Sequence, residues 1–448
     1  MDSIRIRGKD EKVVVAGAGY AGITASVILD GKVDLTVIDR KSYHEILTRA
    51  HLVAGGLEDV QENIIPLNEV LKGRYTRIVR STIRSIDLNE RRISIYADDG
   101  VEHMHYDHLI LALGAEVNYG VDGAREHAVG FRSMEDALNI RKRLRSVKDG
   151  GSLIIVGGGA TGISLAGALS EAGRTLGKRF KIKIVKALDR ILHGWDDYIV
   201  KSATDLLKDK GVEILTGKKV MKVDDRSLTM DDGEDIRSDL TIWTAGVKGS
   251  SIEITPDVSR VKGYRIEVDR FSRIKGYDDA YAVGDISAFR LDYDGGSGYA
   301  PQLAQFAVRQ GYKVAMNILN MMEGKEVIPL SIKKQGSILS LGDECIGVID
   351  GLRLEGELCR YVEEFITYNY KRMLYGDSSA KFAYEEDPIA GMITLGRALT
   401  YVSARYTLAL LERFYTILGM DYHGGSTKEA EYPAHCIMMQ MMTNRLRR

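Results

Sequence analysis

Two glycine-rich hexapeptides carry the clearest chemistry in this chain: Gly17-Ala18-Gly19-Tyr20-Ala21-Gly22 and Gly157-Gly158-Gly159-Ala160-Thr161-Gly162. Glycines at the first, third and sixth places let the backbone turn tightly and approach a pyrophosphate. The helix that follows offers free N–H groups and a dipole that favour anions. In the first unit Asp39 follows about 20 residues on, the place of an acid that accepts hydrogen bonds from a ribose hydroxyl. The second unit lacks that acid: Lys186 stands in its place, with Arg190 four residues further. A cation cannot accept from a 2′-hydroxyl but can pair with a 2′-phosphate. Three readings stay open: the donor is NADPH, nicotinamide binding is weakened, or a nearby acid such as Asp189 substitutes. A plain solvated lysine is the bland alternative.

The elements that must position these turns follow from the apolar pattern. Residues 12–16 and 35–38 read as buried parallel strands around a helix over 23–29, and 153–156 and 181–185 repeat the plan around a helix over 163–169. Two such units imply an internal duplication, one for FAD and one for NAD(P)H. The apolar strand 109–113 ends in Gly114-Ala115, and the strand before Gly284-Asp285 ends in an acid. Here the chain resembles two-domain flavin oxidoreductases, in which the Gly-Asp carboxylate binds the ribityl chain; that resemblance implies FAD. The fold class expected is α/β, with two Rossmann-like dinucleotide-binding domains and a C-terminal α+β region. FAD is assigned to 1–118 and 251–330, NAD(P)H to 119–250, and a membrane-surface or dimer contact to 331–448.

Composition excludes several other classes. The 448 residues carry a formal net charge of -1, which gives no drive toward nucleic acid. Three cysteines, Cys345, Cys359 and Cys436, have no metal-ligand spacing, and their odd number argues against a disulfide framework. His44, His51, His193 and His435 show no metal spacing either. The first dozen residues are charged, without a secretory h-region, and no apolar run approaches the roughly 18 residues that span a bilayer. The expectation is a cytoplasmic protein whose membrane contact is peripheral, on the cytoplasmic face.

Asp39-Arg40 followed by Tyr43-His44 narrows the resemblance to type II NADH:quinone oxidoreductases, the single-subunit respiratory dehydrogenases. The segment from Ala300-Pro301 to Gly311 is the more specific match. In that family a Pro-x-x-Ala-Gln-x-Ala-x-Gln stretch opens a helix beside the flavin and lines the quinone pocket. Here Ala304 and Gln305 match it, while Arg309 holds the second glutamine's place with Gln310 beside it. Residues 334–342 match the strands that follow, so the likeness runs from about 12 to 375. One departure concerns mechanism: Ser164 stands where the family has a glutamate, and a serine carries no charge at neutral pH. His44, beside the Asp39 turn, either contacts FAD or packs.

The resemblance implies transfer of electrons from NAD(P)H through FAD to a quinone or similar acceptor. A sulfide:quinone oxidoreductase is the runner-up, disfavoured because residues 1–344 contain no cysteine for sulfide chemistry. A flavin-binding protein that has lost turnover is the reading from another class, kept open by Ser164, Lys186 and Arg309. In the C-terminal region, 357–375 reads as a tyrosine-rich helix. Leu395, Leu399, Val402, Tyr406, Leu410 and Ile417 share one helical face, which suits a membrane interface or a dimer contact.

Overall fold

A computed structural model describes residues 11–291, 298–331, 336–349 and 351–377, together with Tyr401 and Ser403. The helix expected around 395–417 and Cys436 lie outside the described residues.

Five parallel strands form the first sheet, in the order Ala280–Ala282, His108–Leu111, Lys12–Ala16, Asp34–Asp39, Thr76–Arg80. The second sheet repeats this plan: Val129–Gly130, Leu240–Trp243, Ser152–Val156, Lys181–Lys186, Glu213–Thr216, again all parallel. In each sheet the strand before the glycine turn lies at the centre. Strands covered on both faces can be apolar throughout, which is why Val13 to Ala16 and Leu153 to Val156 are all buried. The duplication expected from the glycine motifs is thus present in strand order as well.

The two links between the sheets pair with each other: Ala115–Val117 runs antiparallel to Val247–Gly249. After the second sheet the chain returns to the first by way of Ala280–Ala282, then enters the helix Ala304–Met322. That helix packs on the helix Tyr20–Leu29 at backbone contact. A Cβ at Gly311 would lie 2.1 Å from the Ala21 carbonyl oxygen, so only glycine permits the approach. Residues Ala21 to Leu29 are consequently buried on every side.

A three-stranded antiparallel sheet, Gly336–Leu341, Glu344–Ile349 and Leu352–Glu355, precedes the helix Gly356–Leu374. This is the α+β region anticipated. It is held to the first unit by Arg49, which pairs with Glu58 and reaches Glu363 at 3.3 Å. Cys345 and Cys359 are bridged, tying the central strand of this sheet to the helix. The expectation from an odd cysteine count is corrected here. The count speaks against a framework of several bridges, whereas one local bridge needs only two residues brought together by a strand and the helix after it.

Candidate active site

The first glycine turn is built as its sequence requires. Gly17 has φ +102°, and a Cβ at Gly22 would lie 1.8 Å from the Gly17 carbonyl oxygen. Gly19 faces open space, which leaves its side of the turn free for a ligand's approach. Asp39 ends its strand against this turn: Oδ2 accepts from the Ala18 N–H at 2.7 Å and Oδ1 from the Lys41 N–H at 2.8 Å. Arg40 beside it is exposed. Gly114, with φ +66° and open space where a side chain would stand, borders the turn after His108–Leu111. These open glycines and the terminal carboxylate fit a dinucleotide such as FAD.

His44 lies beneath the turn, 1% exposed. Its Nδ1 is 2.9 Å from the Ala18 carbonyl oxygen, which can only accept, so Nδ1 carries the proton. Its Nε2 therefore accepts from the Tyr370 hydroxyl at 3.0 Å. Burial pulls the His44 pKa down to about 4, against a smaller upward effect of the Ala18 bond, so the ring is neutral at pH 7. Both nitrogens are engaged by protein, and the ring packs beneath the turn. The rings of Tyr20 and Tyr370 complete the cluster, 5.1 Å and 5.8 Å from the imidazole.

The Gly284-Asp285 turn and the Pro301–Gly311 segment, 16 positions apart between Asp285 and Pro301, meet in one crevice. Arg265, Gly284, Asp285, Pro301, Phe306 and Gln310 are among its lining. Gly284 has φ +72° and its N–H donates to Gln310 Oε1 at 2.7 Å. Gln302 Nε2 donates to the Asp285 carbonyl at 2.9 Å. Gln310 is 2% exposed, so its amide oxygen serves to hold this turn. Ala304 opens the helix, and Gln305 Nε2 reaches the Gly336 carbonyl at 3.3 Å. Arg309 is buried within the same helix at 9% exposure.

Arg132 carries no motif in the sequence, yet it forms an ion pair with Asp285 across 153 positions. It precedes the helix Met134–Ser146, whose N-cap Ser133 accepts from the Asp136 N–H, while Asp136 Oδ2 accepts from the Arg132 N–H at 2.7 Å. That Ser-x-x-Asp spacing is a helix-start signal legible in the sequence. Its pairing with Asp285 is not, since it joins the two nucleotide units. Arg265 is the second residue that sequence reading misses: it donates to the carbonyls of Ser287 at 2.8 Å and Ala300 at 2.7 Å, fixing the loop that carries Pro301.

The second glycine turn matches the first. Gly157 has φ +124°, and Gly159 again faces open space. Gly162 packs on the Gly157 carbonyl as Gly22 does on Gly17. Thr244 Oγ1 lies 3.0 and 3.1 Å from the Val156 and Gly157 carbonyls, bracing the turn from the next strand. Ser164 is buried in the helix Ala160–Thr175 that this turn opens, and Lys186 ends the strand Lys181–Lys186. Among the described residues, no group of three or more His, Cys, Asp or Glu is placed to hold a metal ion.

Two parallel sheets of one plan, a glycine turn in each and a Gly-Asp turn against the first define a two-dinucleotide oxidoreductase. The chain belongs to the pyridine nucleotide-disulphide oxidoreductase family, whose model matches residues 11–311. A curated relative, the type II NADH:quinone oxidoreductase of Staphylococcus haemolyticus (strain JCSC1435), is 27% identical over 384 residues, covering 80% of this chain and 94% of that protein. Among solved structures, NDH2 from Plasmodium falciparum in complex with NADH superposes with a TM-score of 0.73 at 16% identity, over 85% of this chain and 99% of that one. The sulfide:quinone oxidoreductase from Aquifex aeolicus gives 0.70 at 17% identity, over 83% and 92%. Those two likenesses concern the fold.

Proposed function

We infer that this chain is an FAD-dependent oxidoreductase that takes electrons from NAD(P)H and passes them to a quinone. The observation that carries the reading is the crevice where Asp285 meets the Pro301–Gly311 segment, on a fold that also holds a second nucleotide turn. When bound, FAD supplies the two-electron chemistry and the protein supplies orientation and electrostatics. The balance is NAD(P)H + H⁺ + quinone → NAD(P)⁺ + quinol. Residues 1–118 and 251–330 form the FAD part, 119–250 the nicotinamide part and 331–448 the C-terminal region.

Each residue has a role within this reading. Gly17, Gly19 and Gly22 bring backbone N–H groups to the pyrophosphate, and Asp39 accepts from the adenosine ribose. Asp285 accepts from the ribityl chain, oriented by Arg132 and by the Gly284 turn that Gln310 holds. Gly157, Gly159 and Gly162 receive the nicotinamide donor's pyrophosphate. Leu303 and Phe306 keep water from the acceptor, which strengthens each polar contact there. Gln305 donates to a quinone carbonyl in exchange for its long bond to Gly336. Arg309 adds positive charge as the quinol oxygen develops. Ser164 donates one hydrogen bond but relays no charge, so the second proton comes from solvent.

The acceptor is apolar, and the enzyme meets it at a membrane surface. No helix of the described residues is long and apolar enough to cross a membrane. In this reading contact is peripheral, on the cytoplasmic face, through the C-terminal region, where Leu352, Leu358 and Ile366 are exposed. Co-flotation with anionic liposomes tests this; a homodimer that stays off the lipid is the contrary outcome.

Gln305→Ala tests the acceptor site. Loss of one donor that acts only on the reacting group lowers turnover by about 10²–10³. The reading predicts slower reoxidation by a short-chain quinone with reduction by NAD(P)H nearly intact. Equal loss in both halves would contradict the assignment of this segment.

A further inference from the structure

The backbone register places Lys186 where Asp39 stands in the other unit. In the first unit Ala16 pairs with Ile38, and the Gly17 N–H donates to the Ile38 carbonyl at 2.8 Å. In the second Val156 pairs with Val185, and the Gly157 N–H donates to the Val185 carbonyl at 2.9 Å. One residue further on is a carboxylate in the first case and an ammonium in the second.

Their side chains also turn the same way. The Asp39 carboxylate folds back over Ala18; the Lys186 stem runs back over Gly158, the matching residue. A Cβ on Gly158 would lie 3.3 Å from both Cβ and Cδ of Lys186 and 3.0 Å from Ile191 Cγ2. Glycine at 158 thus makes the room that the lysine stem uses.

The segment after the strand closes on the same point. The Leu192 N–H donates to the Gly158 carbonyl at 2.7 Å, which brings Arg190 beside the turn. Arg190 Nη2 donates to Asp197 Oδ1 at 3.0 Å, while its Nε is buried without a hydrogen-bond partner. The acids nearby are otherwise directed. Asp196 caps the next helix through the Tyr198 N–H, Asp197 is 91% exposed, and Asp189 is exposed. Lys218, whose N–H donates to the Lys186 carbonyl, has its ammonium on Asp232 and Glu234.

We propose that the second nucleotide site selects NADPH over NADH, with Lys186 and Arg190 taking the 2′-phosphate. This rests on the nicotinamide reading above. A neutral ribose leaves these cations to water and Asp197, whereas a phosphate dianion pairs with the ammonium and the guanidinium tip. Asp197 yields Arg190 readily because its own carboxylate is almost wholly solvated.

Calorimetric titration of the holoprotein with 2′,5′-ADP and with 5′-AMP tests the site apart from turnover. The 2′-phosphate compound binds tighter by about tenfold or more, the scale of one charge-assisted hydrogen bond. Lys186→Met, which keeps the stem over Gly158, removes most of that difference, and Lys186→Arg retains it. Anaerobic bleaching of the flavin band is then faster at equal concentration with NADPH than with NADH. Equal affinity for the two probes, or bleaching at least about tenfold better with NADH, overturns this inference and leaves the enzyme reading standing. Binding and bleaching by neither nucleotide overturns both.

Discussion

Asp285 and Arg132 form an ion pair beside the first glycine turn, and in the proposed reading they are the pair on which cofactor retention most depends. On that reading, removing the carboxylate deletes an acceptor for the ribityl chain and leaves Arg132 without this partner. Asp285→Ala is expected to weaken FAD retention by roughly 1.5–3 kcal/mol. Arg132→Ala weakens it less, and the double variant is less severe than the sum, because the two residues act through one contact. Ultrafiltration with flavin fluorescence in the filtrate measures all three, and additive effects would contradict the coupling. The acid was legible from its Gly-Asp motif. The arginine was not, since no local pattern links positions 132 and 285.

The buried histidines give the molecule a pH dependence with a definite sign. Burial lowers the pKa of His44 to about 4 and that of His51 to about 3, the latter helped by the Arg49 charge. The unfolded chain protonates both near pH 6.5. Between pH 6.5 and about 4 the unfolded state therefore holds more protons, and stability falls as pH falls. Each imidazole contributes about 1.4 kcal/mol per pH unit in that window and nothing above it. Denaturant unfolding of the holoprotein at pH 7.5 and pH 5 shows a lower midpoint at pH 5. A flat profile would mean that both rings take up protons in the folded state as they do in the unfolded chain.

At the scale of elements, the strands and glycine turns were readable because buried parallel strands are written as short β-branched runs. The run 12–16 and the strand Lys12–Ala16 coincide, and the helix expected over 163–169 extends to Ala160–Thr175. What joins elements was not readable. The Tyr370–His44 bond spans 326 positions, and the Cys345–Cys359 bridge depends on the strand and helix lying side by side. Helix contact at Gly311 is of the same kind, and it bears on function because this helix carries Gln305 and Gln310. Gly311→Ala forces the helices Tyr20–Leu29 and Ala304–Met322 apart. The expected cost is about 1–3 kcal/mol, with weaker FAD binding, read by thermal unfolding with and without added FAD. An unchanged midpoint would show that the contact yields freely.

For the whole molecule, the two sheets of equal plan place two nucleotide turns in one chain, and the Gly284-Asp285 and Pro301–Gly311 segments meet at the first. Family and cofactors were legible in the motifs; for the acceptor side the sequence offers the Pro301–Gly311 segment, whose role is the proposal made above. Sequential anaerobic mixing tests whether electrons pass from NAD(P)H through the flavin to a quinone. The holoprotein is mixed with NAD(P)H while the flavin absorbance band is followed, then with a short-chain quinone. Bleaching is expected in the first step and full recovery in the second, with one quinone consumed per flavin. A flavin that bleaches but does not recover with quinone, or recovers only with oxygen, would contradict it.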